Sequence, residues 1–419
     1  MYTNYLIIGG SHAGLAALEA IRRVDRDAAL TMVTTEKRQP YSPTALPYVI
    51  SGKTEPENTE LRTPGYFKDL NVDYINGASV TMINTNNRQV TLDDGLEVNY
   101  KKLLIATGAS ALVPPIPGME NVKFTTIRTM ADAEKIKKDM SQARSALIIG
   151  AGFIGLHAAE SLAHAGLDVT VVETLDQIMP ASFDFEASNL IRKVFDENGI
   201  TMLTGKPVST AYKSNGKTIL VLKDGKEVSG DMLVIAAGIL PNVAFLEGSK
   251  IVCERGIVVD KRMRTTAPDV WAAGDVASAP GFFSSKKNIG GTILCATEQG
   301  NIAGMDMVED SYAVDYPGTL DMNTFGFFGN FAFSIGNVAD ISFDDDSFEI
   351  ETQKDLEKNS FCKLIFRNSV LTGVSAINVR LDPGILKELV LRKTDLSEKK
   401  ERFIEAPLEI GRQMMRELF

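Results

Sequence analysis

The stretch Leu6-Ile7-Ile8-Gly9-Gly10-Ser11-His12-Ala13-Gly14, near the start of the 419-residue chain, decides the fold. Its first three residues predict a buried strand, because strands of parallel sheets are apolar on both faces. Gly9 and Gly14 fit a tight turn and close helix–strand packing. Backbone amides in such a turn can hold a pyrophosphate at the positive end of the following helix. Ser11 occupies the middle glycine position, so this dinucleotide-binding fingerprint is nearly complete.

A carboxylate follows this turn at the spacing that a ribose contact requires. Glu36 comes twenty-two residues after Gly14. Two residues separate it from the apolar run 30–33. A carboxylate at that place can accept hydrogen bonds from ribose hydroxyls. A lone glycine fingerprint can also be a plain strand–helix turn, so the remainder of the chain has to support the nucleotide interpretation.

A second fingerprint, Gly150-Ala151-Gly152-Phe153-Ile154-Gly155, is complete. The apolar run 146–149 precedes it, and Glu173 ends the next predicted strand eighteen residues after Gly155. The motif therefore stands in the strand–helix–strand context that dinucleotide binding needs. A carboxylate at this strand end repels a 2′-phosphate, which favours NAD(H) over NADP(H).

The two fingerprints belong to an internal repeat. Gly95 precedes Gly108 by thirteen residues, and Gly225 precedes Gly238 by thirteen. Each fingerprint is thus followed by a predicted hairpin and an apolar strand that ends in a small-residue turn. Two such units imply two nucleotides, of which one can be a fixed flavin and the other a passing nicotinamide.

Two further segments after the repeat have the composition of ligand contacts. In Gly274-Asp275 the glycine lets the backbone approach a chain-like ligand, and the carboxylate can bind a polyol hydroxyl; the alternative is a helix-capping aspartate. A helix is predicted near residues 297–307, starting around Ala296 and Thr297. A helix N-terminus there can stabilise the negative charge of a reduced flavin.

Composition excludes several classes of function. The net charge is −10 and the chain has no basic patch interleaved with aromatic residues, which argues against nucleic-acid binding. No apolar run approaches the length of a membrane span, and the first strand begins too near Met1 for a signal peptide. Cys253, Cys295 and Cys362 stand far apart, without a CxxC or metal-type spacing. We therefore expect a cytoplasmic protein with no metal site, so that any iron–sulfur centre lies on another chain.

Two regions outside the repeat have their own character. Residues 40–48 hold three prolines and predict a shaped loop leading into a short helix. From about residue 314 an aromatic cluster and strand-like alternation begin, with an acidic turn at 344–346, and the last forty residues have helical spacing. This region predicts a separate α+β domain that serves as an interface.

The ordered set of motifs resembles the pyridine nucleotide–disulfide oxidoreductases, over residues 1–310. The resemblance implies an α/β fold with two Rossmann-like dinucleotide-binding domains, one for FAD and one for NAD(H), plus the C-terminal α+β interface domain. It implies a discontinuous FAD-binding domain (1–115 and 244–313), an NAD(H)-binding domain (116–243) and an interface domain (314–419). Asp275 would then hold the flavin ribitol.

Motifs and resemblance together assign residues to the sites. The catalytic candidates are His12, Thr44 and Phe153, of which Phe153 matches an aromatic that covers the flavin until NADH displaces it. Plain helix packing of Phe153, and a structural role for His12, remain the alternatives. Cofactor binding is assigned to Gly9, Ser11, His12, Ala13, Gly14, Glu36, Lys37, Ser42, Pro43, Val80, Ala106, Thr107, Gly108, Gly150, Gly152, Phe153, Ile154, Gly155, Glu173, Ala237, Gly238, Gly274, Asp275, Ala296 and Thr297.

The chain departs from the family pattern at two positions. The stretch 11–14 is similar to the NADH oxidase and peroxidase branch, in which a redox cysteine would stand at the position of Thr44. A hydroxyl cannot form a thiolate, a sulfenic acid or a disulfide, so disulfide or peroxide chemistry is not expected. His157 stands where the family often has a glutamate that binds the nicotinamide carboxamide.

A narrower resemblance rests on residues 41–48 and 391–396, which are similar to NADH-linked FAD subunits of 2-oxoacid and aldehyde oxidoreductase complexes. It implies hydride exchange with NAD(H) and single-electron exchange with an iron–sulfur partner subunit. The first alternative is a stand-alone NADH oxidase, diaphorase or ferredoxin-type reductase. The second is a nucleotide-bound structural or redox-sensing module. A homodimer through the C-terminal domain is a further expectation.

Overall fold

A computed structural model describes residues 1–284, 286–336, 338 and 347–418. The chain divides into two compact units. The first contains Met1–Ala45, Glu55–Ser110 and Ile239–Leu320, and the second contains Leu46–Thr54, Ala111–Gly238 and Asp321–Phe419. The predicted acidic turn at 344–346 lies outside the described residues. Within the described ranges, no helix has both the length and the apolar character needed to cross a membrane.

Helices and strands are numbered in chain order. The strands are β1 (Tyr2–Ile8), β2 (Leu30–Thr34), β3 (Val72–Asn76), β4 (Val80–Asn84), β5 (Gln89–Leu92), β6 (Glu97–Ile105), β7 (Ala109–Ala111), β8 (Thr125–Thr126), β9 (Ser145–Ile149), β10 (Asp168–Val172), β11 (Thr201–Leu203), β12 (Val208–Ser214), β13 (Lys217–Leu222), β14 (Glu227–Gly230), β15 (Met232–Ile235), β16 (Ile239–Pro241), β17 (Ile257–Val258), β18 (Val270–Ala272), β19 (Ala277–Pro280), β20 (Lys287–Asn288), β21 (Met322–Phe327), β22 (Asn330–Gly336), β23 (Phe348–Asp355), β24 (Ser360–Arg367) and β25 (Val370–Ile377). The helices are α1 (His12–Val24), α2 (Leu46–Ile50), α3 (Tyr66–Asp69), α4 (Met130–Met140), α5 (Phe153–His164), α6 (Phe185–Glu197), α7 (Ile293–Met307), α8 (Pro383–Leu391), α9 (Lys400–Glu405) and α10 (Pro407–Leu418).

The first unit is built on a parallel sheet with the strand order β3-β2-β1-β6-β18. Strand β1 lies between β2 and β6, and its residues Leu6–Ile8 are at most 4% exposed. Burial on both faces explains why this stretch is continuously apolar. Helices α1 and α7 pack against each other in this unit, and the hairpin strands β5 and β4 extend the sheet beyond β6.

The second unit repeats this order with the parallel strands β11-β10-β9-β15-β8. Each repeat also carries the predicted hairpin. Gly95 lies between the antiparallel strands β5 and β6, Gly225 lies between β13 and β14, and both have a φ of +85°. This left-handed conformation favours glycine. The predicted α/β fold with two Rossmann-like sheets is confirmed.

The C-terminal segment forms an antiparallel sheet in the order β21-β22-β25-β24-β23, followed by α8, α9 and α10. This is the predicted α+β composition. The segment belongs to the same compact unit as the second parallel sheet, because β21 contacts α5 and β25 contacts α6. The boundaries of three separate domains therefore stay a prediction.

Candidate nucleotide-binding sites

The first glycine turn closes against the end of β6. Gly9 has a φ of +119°, and a Cβ atom there would clash with the carbonyl oxygen of Ala106. A Cβ on Gly14 would clash with the carbonyl oxygen of Gly9. The turn therefore requires glycine at both ends, and it brings together three of the predicted positions.

The positive end of α1 is open to an anion. Ser11 is the N-cap residue and is exposed, and within the described part of the chain it makes no side-chain capping hydrogen bond. The first turn of α1, which is fully described, carries no acidic side chain. The first amides of a helix lack partners inside the helix, so a phosphate group suits this position.

Helices α1 and α7 pack so closely that their backbones are in contact. A Cβ on Gly300 would clash with the carbonyl oxygen of Ala13. Gly274 has a φ of +81°, and a Cβ there would lie 3.2 Å from the Cβ atom of Ala13 and 3.7 Å from that of Ala296. Three predicted cofactor positions from distant parts of the sequence thus meet within the first unit.

The start of α7 differs from the prediction. The helix begins at Ile293, four residues before the predicted start, because the Thr292 hydroxyl accepts the amide of Cys295 at 3.2 Å as an N-cap. The amide of Ala296 donates to the carbonyl oxygen of Thr292 at 3.0 Å. Ala296 and exposed Thr297 therefore lie inside the helix, and neither supplies the helix N-terminus expected beside a reduced flavin.

Gln299 holds the turn at Gly274 in place. Its side chain is fully buried, and its Oε1 accepts the Gly274 amide at 2.9 Å. Its Nε2 lies 3.4 Å from the hydroxyl of buried Tyr316. Gln299 was not among the predicted site residues. A polar amide at a core-facing position of a helix is the feature that could have identified it. The buried side-chain amide of Gln299 therefore fixes the backbone of the turn that carries Asp275.

His12 lies at the centre of the first candidate site. Its Nε2 is buried and has no hydrogen-bond partner within the described part of the chain. Burial, helped by the positive charge of Arg62, lowers the pKa of His12, and the charge of Asp275 opposes this shift. A hydrogen-bonded structural histidine does not fit this description, because buried ring nitrogens ordinarily have partners. A buried nitrogen without a partner, in the turn from Gly9 to Gly14 and near Asp275, fits a polar group of a bound cofactor.

The region after β2 carries the predicted ribose contacts. The half-buried side chain of Glu36 accepts a hydrogen bond from the hydroxyl of buried Tyr41 at 3.0 Å. Lys37 is exposed, and its carbonyl oxygen accepts from Asn76 at 2.9 Å. Val80 begins β4 and pairs with Leu92. Tyr41 thus fixes the predicted carboxylate, a contact that the sequence analysis did not identify.

The small-residue turn after β6 is held by Asn242. The amide of Asn242 donates to the carbonyl oxygen of Gly108 at 3.0 Å, and its Nδ2 donates to that of Thr107 at 2.9 Å. The hydroxyl of Thr107 returns a hydrogen bond to the carbonyl oxygen of Asn242 at 2.9 Å. The predicted cofactor positions Thr107 and Gly108 therefore have a fixed backbone geometry.

The proline loop has the predicted form. Residues Pro43–Ala45 form a short 3-10 helix, and α2 follows at once. Thr44 is exposed, and its hydroxyl lies 2.9 Å from that of Ser42. The amide of Ser42 donates to Thr59 at 3.2 Å. At the position where the resemblance expects a redox thiol, the chain presents a pair of hydroxyls.

The second glycine turn repeats the geometry of the first. Gly150 has a φ of +104°, and a Cβ there would clash with the carbonyl oxygen of Ala236. A Cβ on Gly155 would clash with the carbonyl oxygen of Gly150. A Cβ on Gly152 would meet no atom of the described residues within 4 Å, so open space adjoins the middle of the turn. Ile154, two residues after Gly152, is exposed.

Glu173 follows β10 directly and is bound to this second turn. Its Oε2 accepts the amide of Ala151 at 2.7 Å, and its Oε1 accepts that of Leu175 at 2.9 Å. The carboxylate is thus fixed at the strand end and keeps further lone pairs for hydroxyl donors. Ala237 and Gly238 follow β15, and Gly238 has a φ of +117°.

The first residue of α5, Phe153, packs in an aromatic cluster of the second unit. Its ring lies 6.3 Å from Phe183 and 5.6 Å from Phe325, both edge-on. His157, one turn later, lies 4.8 Å from Phe325. Burial, with a contribution from Lys53, lowers the pKa of His157 to about 4. Phe153 thus packs against other aromatic rings and is half-buried, and its contact with a flavin stays a prediction.

The comparison with known proteins decides the family. A model of the family described as pyridine nucleotide-disulphide oxidoreductase matches residues 3–300. The chain belongs to this family. FAD and NAD(H) are therefore its cofactors, and its chemistry is oxidation and reduction. The orphaned nitrogen of His12 and the glycine turns that a Cβ would fill are consistent with the two nucleotides.

Three relatives illustrate the range of the family. The NADH-dependent phenylglyoxylate dehydrogenase subunit epsilon of Aromatoleum evansii is 39% identical over 99% of this chain and 97% of the relative. The NADH oxidase of Methanocaldococcus jannaschii is 31% identical over 72% of this chain and 69% of the relative. A NAD-dependent persulfide reductase from A. fulgidus has a TM-score of 0.83 and 28% identity, covering 94% of this chain and 78% of that one. The first of these agrees with the narrower resemblance predicted from residues 41–48 and 391–396.

Proposed function

We propose that this chain is the NADH-linked FAD subunit of a larger 2-oxoacid or aldehyde oxidoreductase complex, exchanging electrons with an iron–sulfur partner subunit. The support is the 39% identity to a phenylglyoxylate dehydrogenase subunit, which extends through the C-terminal region as well as the nucleotide-binding repeat. A cytoplasmic location and a homodimer through the C-terminal segment are part of the same proposal.

The first unit would hold FAD. The amides of the turn from Gly9 to Gly14 and the positive end of α1 suit its pyrophosphate, and Glu36 suits its ribose. The Gly274–Asp275 turn, anchored by Gln299, suits the polyol chain. His12 would offer its buried nitrogen to the ring system as a neutral imidazole, because burial disfavours its charged form.

The second unit would hold NAD(H). The turn from Gly150 to Gly155 leaves space beside Gly152 for the pyrophosphate, and Glu173 binds the ribose hydroxyls. Two backbone amides hold the Glu173 carboxylate in place, so that its charge opposes a 2′-phosphate. Phe153 would order the nicotinamide end of the site.

One observation carries the choice of electron acceptor. Thr44 has a hydroxyl where the family pattern has a thiol, and in the described part of the chain Cys253, Cys295 and Cys362 form no disulfide; Cys295 and Cys362 are buried. When bound, FAD supplies hydride exchange with NAD(H) and single-electron exchange with a one-electron carrier. With a hydroxyl at residue 44, the chain lacks the thiol relay of the family pattern at that position, which favours an external one-electron partner.

Co-purification from the native source tests the complex directly. We expect the chain to elute with subunits that contain iron and acid-labile sulfide. The purified chain should also reduce one-electron acceptors with NADH much faster than it reduces oxygen. A chain that elutes alone, without iron, and that consumes oxygen rapidly would contradict the proposal.

The second candidate is a stand-alone NADH oxidase or ferredoxin-type reductase. The 31% identity to an archaeal NADH oxidase favours it. It predicts rapid NADH oxidation in air by the isolated chain. A nucleotide-bound structural or redox-sensing module, the other class, predicts FAD binding without bleaching of the flavin by NADH.

A further inference from the structure

Phe325 lies in β21 of the C-terminal sheet, yet its ring contacts two side chains of α5, the helix behind the second glycine turn. The ring centroids of Phe325 and His157 are 4.8 Å apart at an interplanar angle of 70°, and those of Phe325 and Phe153 are 5.6 Å apart at 72°. Phe153 and His157 are four residues apart and so share one face of the helix. A single fully buried ring therefore touches both.

The C-terminal sheet is joined by polar contacts to α5 and to the segment at the start of α6. The carboxylate of Glu160 on α5 accepts the amide of Phe328 at 2.8 Å, and the side chain of Asn323 donates to Ser182 at 3.4 Å. Lys363 in β24 pairs with Asp184, which caps α6. Because these contacts flank Phe325, its ring has a fixed position relative to α5.

Edge-on contacts between aromatic rings favour particular ring orientations. Phe325 thus restricts the rotamers of both Phe153 and His157. Burial lowers the pKa of His157 to about 4, so the imidazole is neutral at pH 7. A neutral imidazole presents one donor and one acceptor, which complement an uncharged primary amide.

We propose that Phe325 is a positioning residue for the nicotinamide end of the NAD(H) site, acting through the ring orientations of Phe153 and His157. The C-terminal sheet thereby takes part in binding the nicotinamide end of the coenzyme. This inference rests on the proposed function, in which the turn from Gly150 to Gly155 binds NAD(H).

The test compares Phe325→Leu with Phe327→Leu in the full-length, FAD-loaded chain. Phe327 is a matched control: it is buried on the same strand and face, and its ring stacks on Phe325 at 4.8 Å and on Phe195 at 5.9 Å, neither of which belongs to α5. Both variants lose a buried ring of the same cluster. Only Phe325→Leu loses the ring contacts to Phe153 and His157 of α5.

The two readouts are the KM for NADH and the inhibition constant of ADP-ribose, which has no nicotinamide. We expect Phe325→Leu to raise the KM about tenfold, because Phe153 and His157 lose the ring that orients them, and to leave ADP-ribose binding within about twofold. Phe327→Leu should change both within about twofold. A merely structural role would move the two constants together and in both variants.

Equal NADH kinetics of the two variants, or a parallel loss of ADP-ribose binding in Phe325→Leu, would overturn the inference. If Phe325→Leu does not fold, Phe325→Met supplies a longer, flexible apolar side chain that can fill the gap, removes the ring and is judged by the same criteria. A wild-type chain that ignores NADH would contradict the proposed function instead, which keeps the two failures distinguishable.

Discussion

The two glycine turns have the same backbone and different side chains. In each, the first glycine has a positive φ, and a Cβ on it would clash with the carbonyl oxygen of the residue that follows the fourth strand of the sheet. That residue is Ala106 in the first unit and Ala236 in the second. In each, the last glycine packs on the first. The residue after the middle position is His12 in the first turn and Phe153 in the second. One backbone design thus places a polar side chain at the start of α1 and an aromatic ring at the start of α5.

The two carboxylates predicted to bind ribose, Glu36 and Glu173, differ in their hydrogen-bond partners. Glu173 accepts a backbone amide of its own glycine turn, so its position is part of the turn. Glu36 is held by the hydroxyl of Tyr41, a residue of the proline loop. The carboxylate of the second candidate site is therefore held by backbone amides, whereas the first candidate site depends on side-chain hydrogen bonds from Tyr41 and Gln299.

The largest expected effect separates the two sites. Gly14→Ala should abolish FAD uptake, because the new methyl clashes with the carbonyl oxygen of Gly9. Gly155→Ala makes the same clash in the second turn. It should leave the protein yellow and reduce NADH-dependent flavin reduction by at least about a hundredfold, as expected for a strained, overpacked turn. Flavin content and stopped-flow reduction measure the two outcomes. Loss of flavin in both variants would show that the turns do not serve separate nucleotides.

The next effect concerns Glu173. Glu173→Ala removes the acceptor for two backbone amides and the charge at the strand end. We expect the kcat/KM for NADH to fall by about one to two orders of magnitude and the preference over NADPH to shrink, since a charge-assisted hydrogen bond to a ribose is lost. Steady-state kinetics with both coenzymes check this. An unchanged coenzyme preference would refute the ribose assignment.

A third prediction uses the acid sensitivity of the second unit. The folded-state pKa of His157, about 4, lies below its unfolded value, so the unfolded chain binds the proton first as the pH falls below about 6.5. The stability contributed by neutral His157 is thus complete above that pH and declines toward pH 4. Wild type should lose about 2 kcal/mol more than His157→Gln between pH 7.5 and pH 5. Urea unfolding at both pH values measures the difference, and equal losses would show that His157 is not buried as described.

The smallest expected effect is at Thr44. Thr44→Ala removes one exposed hydroxyl and its contact with Ser42. The rate of NADH-dependent dye reduction should stay within about tenfold of wild type, because no covalent step passes through this side chain. Ser42→Ala is the matched control for loss of the hydroxyl pair. A fall of several orders of magnitude in Thr44→Ala alone would give Thr44 a chemical role.

Sequence reasoning reached the parts of the molecule that depend on local backbone chemistry. The glycine turns, the hairpins at Gly95 and Gly225 and the α/β order follow from residues that few other conformations accept. It placed the start of α7 four residues late, because the apolar residues after Thr292 hide a helix N-terminus that only the capping hydroxyl identifies.

Sequence reasoning also missed contacts between distant segments. Gln299, Tyr41 and Asn242 each look like ordinary polar residues until folding brings their partners to them. The separate C-terminal domain stays a prediction. The sequence did not indicate that aromatic residues of this segment pack on α5 and α6, where Phe325 stacks on Phe195 and meets His157 edge-on. Alternating aromatics predict a strand but not the helix against which it packs.

The most direct measurement is an anaerobic titration of the FAD-loaded chain with NADH, followed by an oxidised ferredoxin. The account predicts that about one equivalent of NADH bleaches the flavin and that the ferredoxin restores its colour by accepting single electrons. A flavin that stays oxidised with excess NADH, or that ferredoxin cannot reoxidise while oxygen does so at once, would contradict it.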